Sequence, residues 1–214
     1  MRKDDYSSYY SKLSWPAEWK DDHSDSAERF VPVELSPYLN NISFADKVTS
    51  ANGNLNIWRN SYPIEQAAKI PKDINVGGVR FVFPQIDGRS PDNIRCSGQR
   101  IELEINLYDW IYILCAGERR VEDEAILYFS DNSVDFVPFC VSDFWPGAKP
   151  RNGELEAIRF NSLNFPRHCE KYIEPAIWRQ RIPVARETPI LALGLPNNIA
   201  AHIFSITCLR SEEY

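Results

Sequence analysis

Trp58, Arg59, Asn60 and Tyr62 stand within five residues of one another, and Trp145, Arg151 and Asn152 form a second set of similar composition. Sugar recognition needs such a mixture. A flat aromatic face takes the apolar C–H side of a pyranose, while amide and guanidinium groups pair with its hydroxyls. These seven residues are the candidate ligand contacts. The competing role for Trp58 or Trp145 is to plug one end of the fold, and composition leaves both roles open.

Acid/base chemistry has fewer candidates. Glu65, Asp92 and Asp143 fall in irregular segments beside aromatics, and any two brought together would make an acid/base pair. His168, within Asn164-Phe165-Pro166-Arg167-His168-Cys169-Glu170, is the histidine best placed for proton transfer, against a plain surface role. Asp143, Glu65 and His168 are therefore the candidate catalytic residues. His202 opens an apolar run and reads as a structural histidine. No His-x-x-x-His or Cys-x-x-Cys spacing occurs, nor a Gly-x-Ser-x-Gly elbow, a phosphate-cradling loop or a dinucleotide fingerprint. Oxygen ligands for a hard cation gather around Asn41, Asp46, Asn52 and Asn54, so a structural Ca2+ is the one cofactor expectation, with its ligands not readable.

Composition sets the partners. The chain has 214 residues, 43% of them hydrophobic, enough to bury the core of one large β domain. A formal net charge of −6 without any Lys/Arg-rich run excludes a phosphate-backbone footprint, and no run is long enough to span a membrane as a helix. The first residues show no apolar segment of signal-peptide type, so the expectation is a cytoplasmic protein, or a secreted one if a leader has been removed. Five cysteines at wide, irregular spacing read as core thiols, above all Cys115, Cys140 and Cys208, in a reducing compartment.

The elements that must hold these residues are β-strands. Short runs rich in β-branched and aromatic residues recur at 31–35, 78–84, 101–105, 110–115, 125–129, 134–141, 155–160, 176–184, 190–195 and 201–209, punctuated by Gly, Pro, Asn and Asp. That spacing predicts an all-β antiparallel sandwich or barrel. Ile101, Leu103 and Ile105 alternate with polar residues, whereas 111–115 is apolar on both faces and belongs at a sheet centre. The middle of the chain reads as an antiparallel meander, with a hairpin turn at 130–133. Residues 42–75 read as one long irregular loop with a helical turn or two near 64–69, and His168 as part of a polar loop. In 177–182, alternation puts Arg179 and Arg181 opposite Trp178. They line a concave binding face or are ordinary solvated positions, the second being the expectation. Residues 1–29, charged and without period, read as an N-terminal arm in which Trp15 and Trp19 dock on the body or on a second subunit, against a disordered tail. The body domain is 30–214.

Several stretches carry a resemblance: residues 31–41, Ser61-Tyr62-Pro63, Val76-Gly77-Gly78-Val79, Gln99-Arg100-Ile101, Ser142-Asp143-Phe144-Trp145-Pro146 and His202-Ile203-Phe204-Ser205-Ile206-Thr207. Over residues 31 to 208 the chain resembles the galactose-binding-like, carbohydrate-binding-module-like β-sandwich domains appended to bacterial glycoside hydrolases. That likeness implies a jelly roll, sugar contact through rim loops and a calcium ion near the first and last strands. Unlike those modules, the domain is expected to stand alone, with no hydrolase attached. Two functions are therefore expected: a non-catalytic carbohydrate- or glycoside-binding module, or a stand-alone lyase or cyclase of specialised metabolism on a similar scaffold. A homodimer or a partner clasped by the arm is a third expectation.

Overall fold

Residues 27–46, 49–145 and 147–212 are described by the computed structural model. They form β1 (Phe30–Pro32), β2 (Phe44–Ala45), β3 (Tyr62–Pro63), β4 (Asp73–Val76), β5 (Val79–Val82), β6 (Ile94–Arg95), β7 (Arg100–Asn106) and β8 (Tyr108–Gly117). The chain continues through β9 (Val121–Phe129), β10 (Val134–Val141), β11 (Leu155–Arg159), β12 (Ser162–Phe165), β13 (His168–Lys171), β14 (Ala176–Pro183), β15 (Ile190–Gly194) and β16 (Ala201–Arg210). Trp15 and Trp19 lie outside the described residues.

The sandwich has two main sheets. One runs β1-β16-β8-β14-β11, with β6 also on β16; the other runs β10-β9-β15-β7. β8 is central, as its two-sided apolar run requires, and β1, with Pro32, sits at an edge where the missing N–H does not interrupt a ladder. Between the sheets lies a core that includes Ile101, Ile113, Leu127, Phe129, Phe139, Trp178 and Ile203.

A second core covers the other face of the six-stranded sheet. Phe44, Tyr62, Phe81, Tyr112, Phe144, Phe160, Leu163 and Phe204 pack there. This layer explains why β8, β14 and β16 are buried on both faces. Part of it, with Phe44 and Tyr62, comes from the segment expected to be one long loop. Besides the helical turn expected near 64–69, found as the short helix Ile64–Ala67, this stretch holds the parallel pair β2–β3 and most of β4, with Phe44 and Tyr62 packed together in the second core.

Other expectations are corrected. The middle is not a meander: β7 and β8 follow one another but belong to opposite sheets, and of the strands β7 to β10 only β9 and β10 pair as a hairpin. The register of β7 against β15 shifts between Ile190 and Ala192, and Ile105 turns out to 63% exposure. His168 does not sit in a loop; it opens β13, paired with β12. Arg179 and Arg181 are not solvated, because the face of β14 that carries them lies under the second core. Both are buried, over the rings of Tyr112 and Trp110, and Arg179 donates to the carbonyls of Val76 and Gly77. Cys140 is only half-buried, whereas Cys96, Cys115 and Cys208 are core thiols.

Candidate functional site

The turn that carries Trp58 is built by two amides. The Asn56 side-chain oxygen accepts from the N–H groups of Trp58 and Asn60, both at 3.1 Å, and its amide donates to the Asn60 side chain at 2.8 Å. Asn60 in turn donates to the carbonyl of Asn164 on β12, at 3.2 Å. Asparagine suits this task because its short side chain mimics a backbone turn. Arg59 adopts φ +57° at the tip, and Trp58 is left 51% exposed.

A second rigid turn carries Asp143 and Trp145. Glu154 is buried at its base, where its carboxylate accepts from Ser142 N–H and Oγ, Arg151 N–H, and Asn152 N–H and side chain. A carboxylate with five donors is held by charge-assisted bonds and draws both ends of the 142–154 segment together. Asp143 is fixed from three sides. Its carbonyl accepts from the indole of Trp178 at 3.0 Å, its side chain accepts from Trp145 N–H at 2.9 Å, and it bridges to Gly117. Phe144 points inward against Tyr62, and Trp145 meets Phe144 edge-on at the rim, 37% exposed.

The turn between β8 and β9 completes the rim. A Cβ on Gly117 would lie 2.7 Å from the carbonyl of Arg119, so glycine is needed for the chain to double back there. Arg119 follows with φ +65°.

These three turns enclose two adjoining cavities. One, of about 360 Å³, is lined by Asn56, Trp58, Glu118, Arg119, Asp143, Phe144, Trp145 and Phe165. The other, of about 510 Å³, is lined by Arg120, Asp143, Trp145, Gly147, Ala148, Lys149 and Arg151. Asp143 and Trp145 border both. The two sets of candidate ligand contacts, some 85 residues apart in sequence, thus converge through Trp58, Trp145 and Arg151.

The remaining candidates fall elsewhere. Asn60 and Tyr62 do not face a ligand: both are fully buried, Asn60 in its turn and Tyr62 in the second core with its hydroxyl donating to the carbonyl of Ala176 at 3.0 Å. A tyrosine hydroxyl in a core needs such an acceptor, which is why it is found there and not at the rim. Arg59 is exposed beside the cleft without lining it, and the Asn152 amide serves Glu154. Glu65 is exposed on the helix Ile64–Ala67 and lines neither cavity. His168 stacks on Phe165, the ring of which lines the smaller cavity, but pairs with Glu170 at 3.0 Å.

Asp92 is structural. It is buried, accepts from Ser43 N–H and Oγ, Phe44 N–H and the Asn93 amide, and burial pushes its carboxyl up to about 6 against those donors. Asn93 links it to His202, whose Nδ1 lies 3.0 Å from the Asn93 side-chain oxygen. Burial first, then the charge of Arg95, depresses His202 to about 3, so the ring is neutral. Near the calcium expectation, Asn41 donates to Asn93, and Asp46 accepts from Thr49 N–H and hydroxyl.

Glu118, Arg119, Arg120, Lys149 and Phe165 are site residues that the residue pattern alone did not single out. The signal for the arginines is the polar break Gly117-Glu118-Arg119-Arg120 between two apolar strands. Nothing in the sequence tells that this turn faces the one at 143–153.

Residues 27–212 match the family model described as the AziU2-like beta-sandwich domain. No curated protein matches the chain. Because the match runs from the first described turn past the end of β16, and the two-sheet sandwich of that description is the fold itself, the chain belongs to the AziU2-like beta-sandwich domain family.

Proposed function

We propose that this chain is a binding module for a sugar or a glycosylated small molecule, taken in the cleft between Trp58 and Trp145. The observation that carries the reading is the convergence of those two partly exposed indoles on one cavity that also holds Asp143. The indoles offer apolar faces for pyranose C–H groups, and Asp143 and Arg119 offer an acceptor and a donor for hydroxyls. Both indoles sit on turns fixed from below by buried polar groups, so the faces are held before ligand arrives, which lowers the ordering cost of binding. Titration of the intact protein with a broad glycan set, followed by tryptophan fluorescence, tests the reading. Quenching that is lost in Trp58→Ala and Trp145→Ala supports it, and the absence of quenching by every glycan sinks it.

A second reading, a stand-alone lyase or cyclase, is favoured by one observation. Asp143 borders an otherwise largely apolar cavity, where a carboxylate could move a proton on a folded apolar substrate. Glu65, Asp92 and His168 do not line that cavity, so Asp143 would have to serve with Glu118 or alone. Conversion of a bound compound that stops in Asp143→Asn while binding persists would favour this reading over the first.

A further inference from the structure

The larger cavity has an unexpected charge. In a chain with a net charge of −6, its lining holds three cations, Arg120, Lys149 and Arg151, against one carboxylate, Asp143. Arg119 adds a fourth cation on the adjoining cavity, beside Glu118. Arg120 is partly offset by Glu122, 3.0 Å away, but Arg119, Lys149 and Arg151 make no ion pair among the described residues. These cations are exposed, but the turns that carry them are tied together. Arg119 and Arg120 follow the tight turn at Gly117, while Lys149 and Arg151 project from the segment closed by buried Glu154, and the Gly117–Asp143 bridge holds the two turns together.

We infer that the ligand taken at this rim carries an anionic group, a carboxylate or a sulfate ester on the sugar, seated among Arg120, Lys149 and Arg151 while its apolar face lies on Trp145. This deepens the sugar-binding reading and rests on it. Three cations beside an aromatic face match a charged pyranose, because guanidinium grips a planar or tetrahedral oxyanion through paired N–H groups and the indole takes the ring. Asp143, at the junction of the cavities, would accept from a hydroxyl near that anion and orient the ring.

A glycan array presenting neutral, uronate-bearing and sulfated forms of the same backbones tests the inference, with affinities of the hits measured by calorimetry on the intact protein. The expected result is about tenfold tighter binding of one anionic form than of its neutral counterpart, a preference that shrinks at high salt. Lys149→Gln/Arg151→Gln should weaken binding of the anionic form more than of the neutral one, so that the preference disappears, while the unfolding midpoint stays unchanged. The uronate and sulfate arms tell which oxyanion fits. Equal binding of neutral and anionic forms, or a preference that survives in the double variant, overturns the inference and leaves the sugar-binding reading standing. Failure of every form to bind overturns both.

Discussion

The indole N–H of Trp178 donates to the main-chain carbonyl of Asp143 at 3.0 Å, so the core of the sandwich reaches through β14 to hold the one carboxylate that borders both rim cavities. Trp178 is fully buried and touches neither cavity. Its replacement therefore separates positioning from contact. Trp178→Phe leaves a partly buried carbonyl without its donor, which costs about 1 kcal/mol, and the smaller ring adds a packing loss. Urea unfolding should show that destabilisation, and ligand titration should show weaker binding although every lining side chain is present. Unchanged affinity would mean that Asp143 is not set by this bond.

Trp58 and Trp145 should behave differently from Tyr62. The first two are substantially exposed, so Trp58→Ala and Trp145→Ala should change stability by less than about 1 kcal/mol. Their loss should weaken ligand binding at least tenfold, as expected for aromatic anchors at the centre of a contact. Tyr62→Phe should do the reverse, costing about 1 kcal/mol for the bond to Ala176 and leaving affinity intact. Denaturation and titration of the three variants side by side distinguish the roles.

Tyr62 also shows where reading the chain runs out. Trp58, Asn60 and Tyr62 are equivalent by composition, yet one faces the cleft, one builds the turn and one fills the core. An apolar run between turn signals tells where a strand lies, which is why β10 is readable to its ends and β8, apolar on both faces, as central. In β10 it does not tell the facing, since Val134 and Phe136 turn out to 41% and 60% exposure. It does not tell which strands share a sheet, so β7 and β8 look like neighbours although the sandwich separates them. Nor does it show a second layer: the burial of Arg179 and Arg181 depends on aromatics brought from β8 and on a backbone turn at Gly77. The cleft is legible in its residue types, but its assembly depends on long-range pairings such as Gly117 with Asp143.

Glu154 should be the most sensitive polar residue of the rim. Glu154→Gln keeps the shape but has one acceptor oxygen in place of two, so donors now split between Oε1 and Oε2 cannot all be satisfied. The expected cost is about 2–3 kcal/mol, within the range for hydrogen bonds to a charged group. Because Arg151 and Trp145 lie on the segment it closes, hydrogen exchange should quicken at 142–154 and ligand affinity should fall together. Loss of stability with exchange at 142–154 unchanged would place the effect elsewhere.

The buried pair Asp92 and His202 makes opposite demands on pH. His202 is depressed to about 3 in the fold, so its contribution is complete above its ordinary value of 6.5 and is lost as pH falls toward 3, because the unfolded chain takes up the proton first. Asp92 is raised to about 6, so its contribution is complete below its ordinary value of 3.8 and is lost as pH rises through 6. Between about pH 4 and 6 the folded state holds a proton on Asp92 while the unfolded state holds one on His202, and the two slopes cancel. Each unit of pH is worth about 1.4 kcal/mol for one proton. Relative to the parent protein, Asp92→Asn should therefore gain a slope, losing roughly 2–3 kcal/mol of stability from pH 6 to 4, as His202 titrates unopposed. His202→Gln should gain the opposite slope and become relatively more stable over the same interval. Both variants lose bonds to Asn93 or its neighbours, so the informative quantity is the change of unfolding free energy with pH, read from urea titrations at several pH values. Parallel curves for both variants and the parent would show that neither group carries the displaced proton affinity that its burial requires.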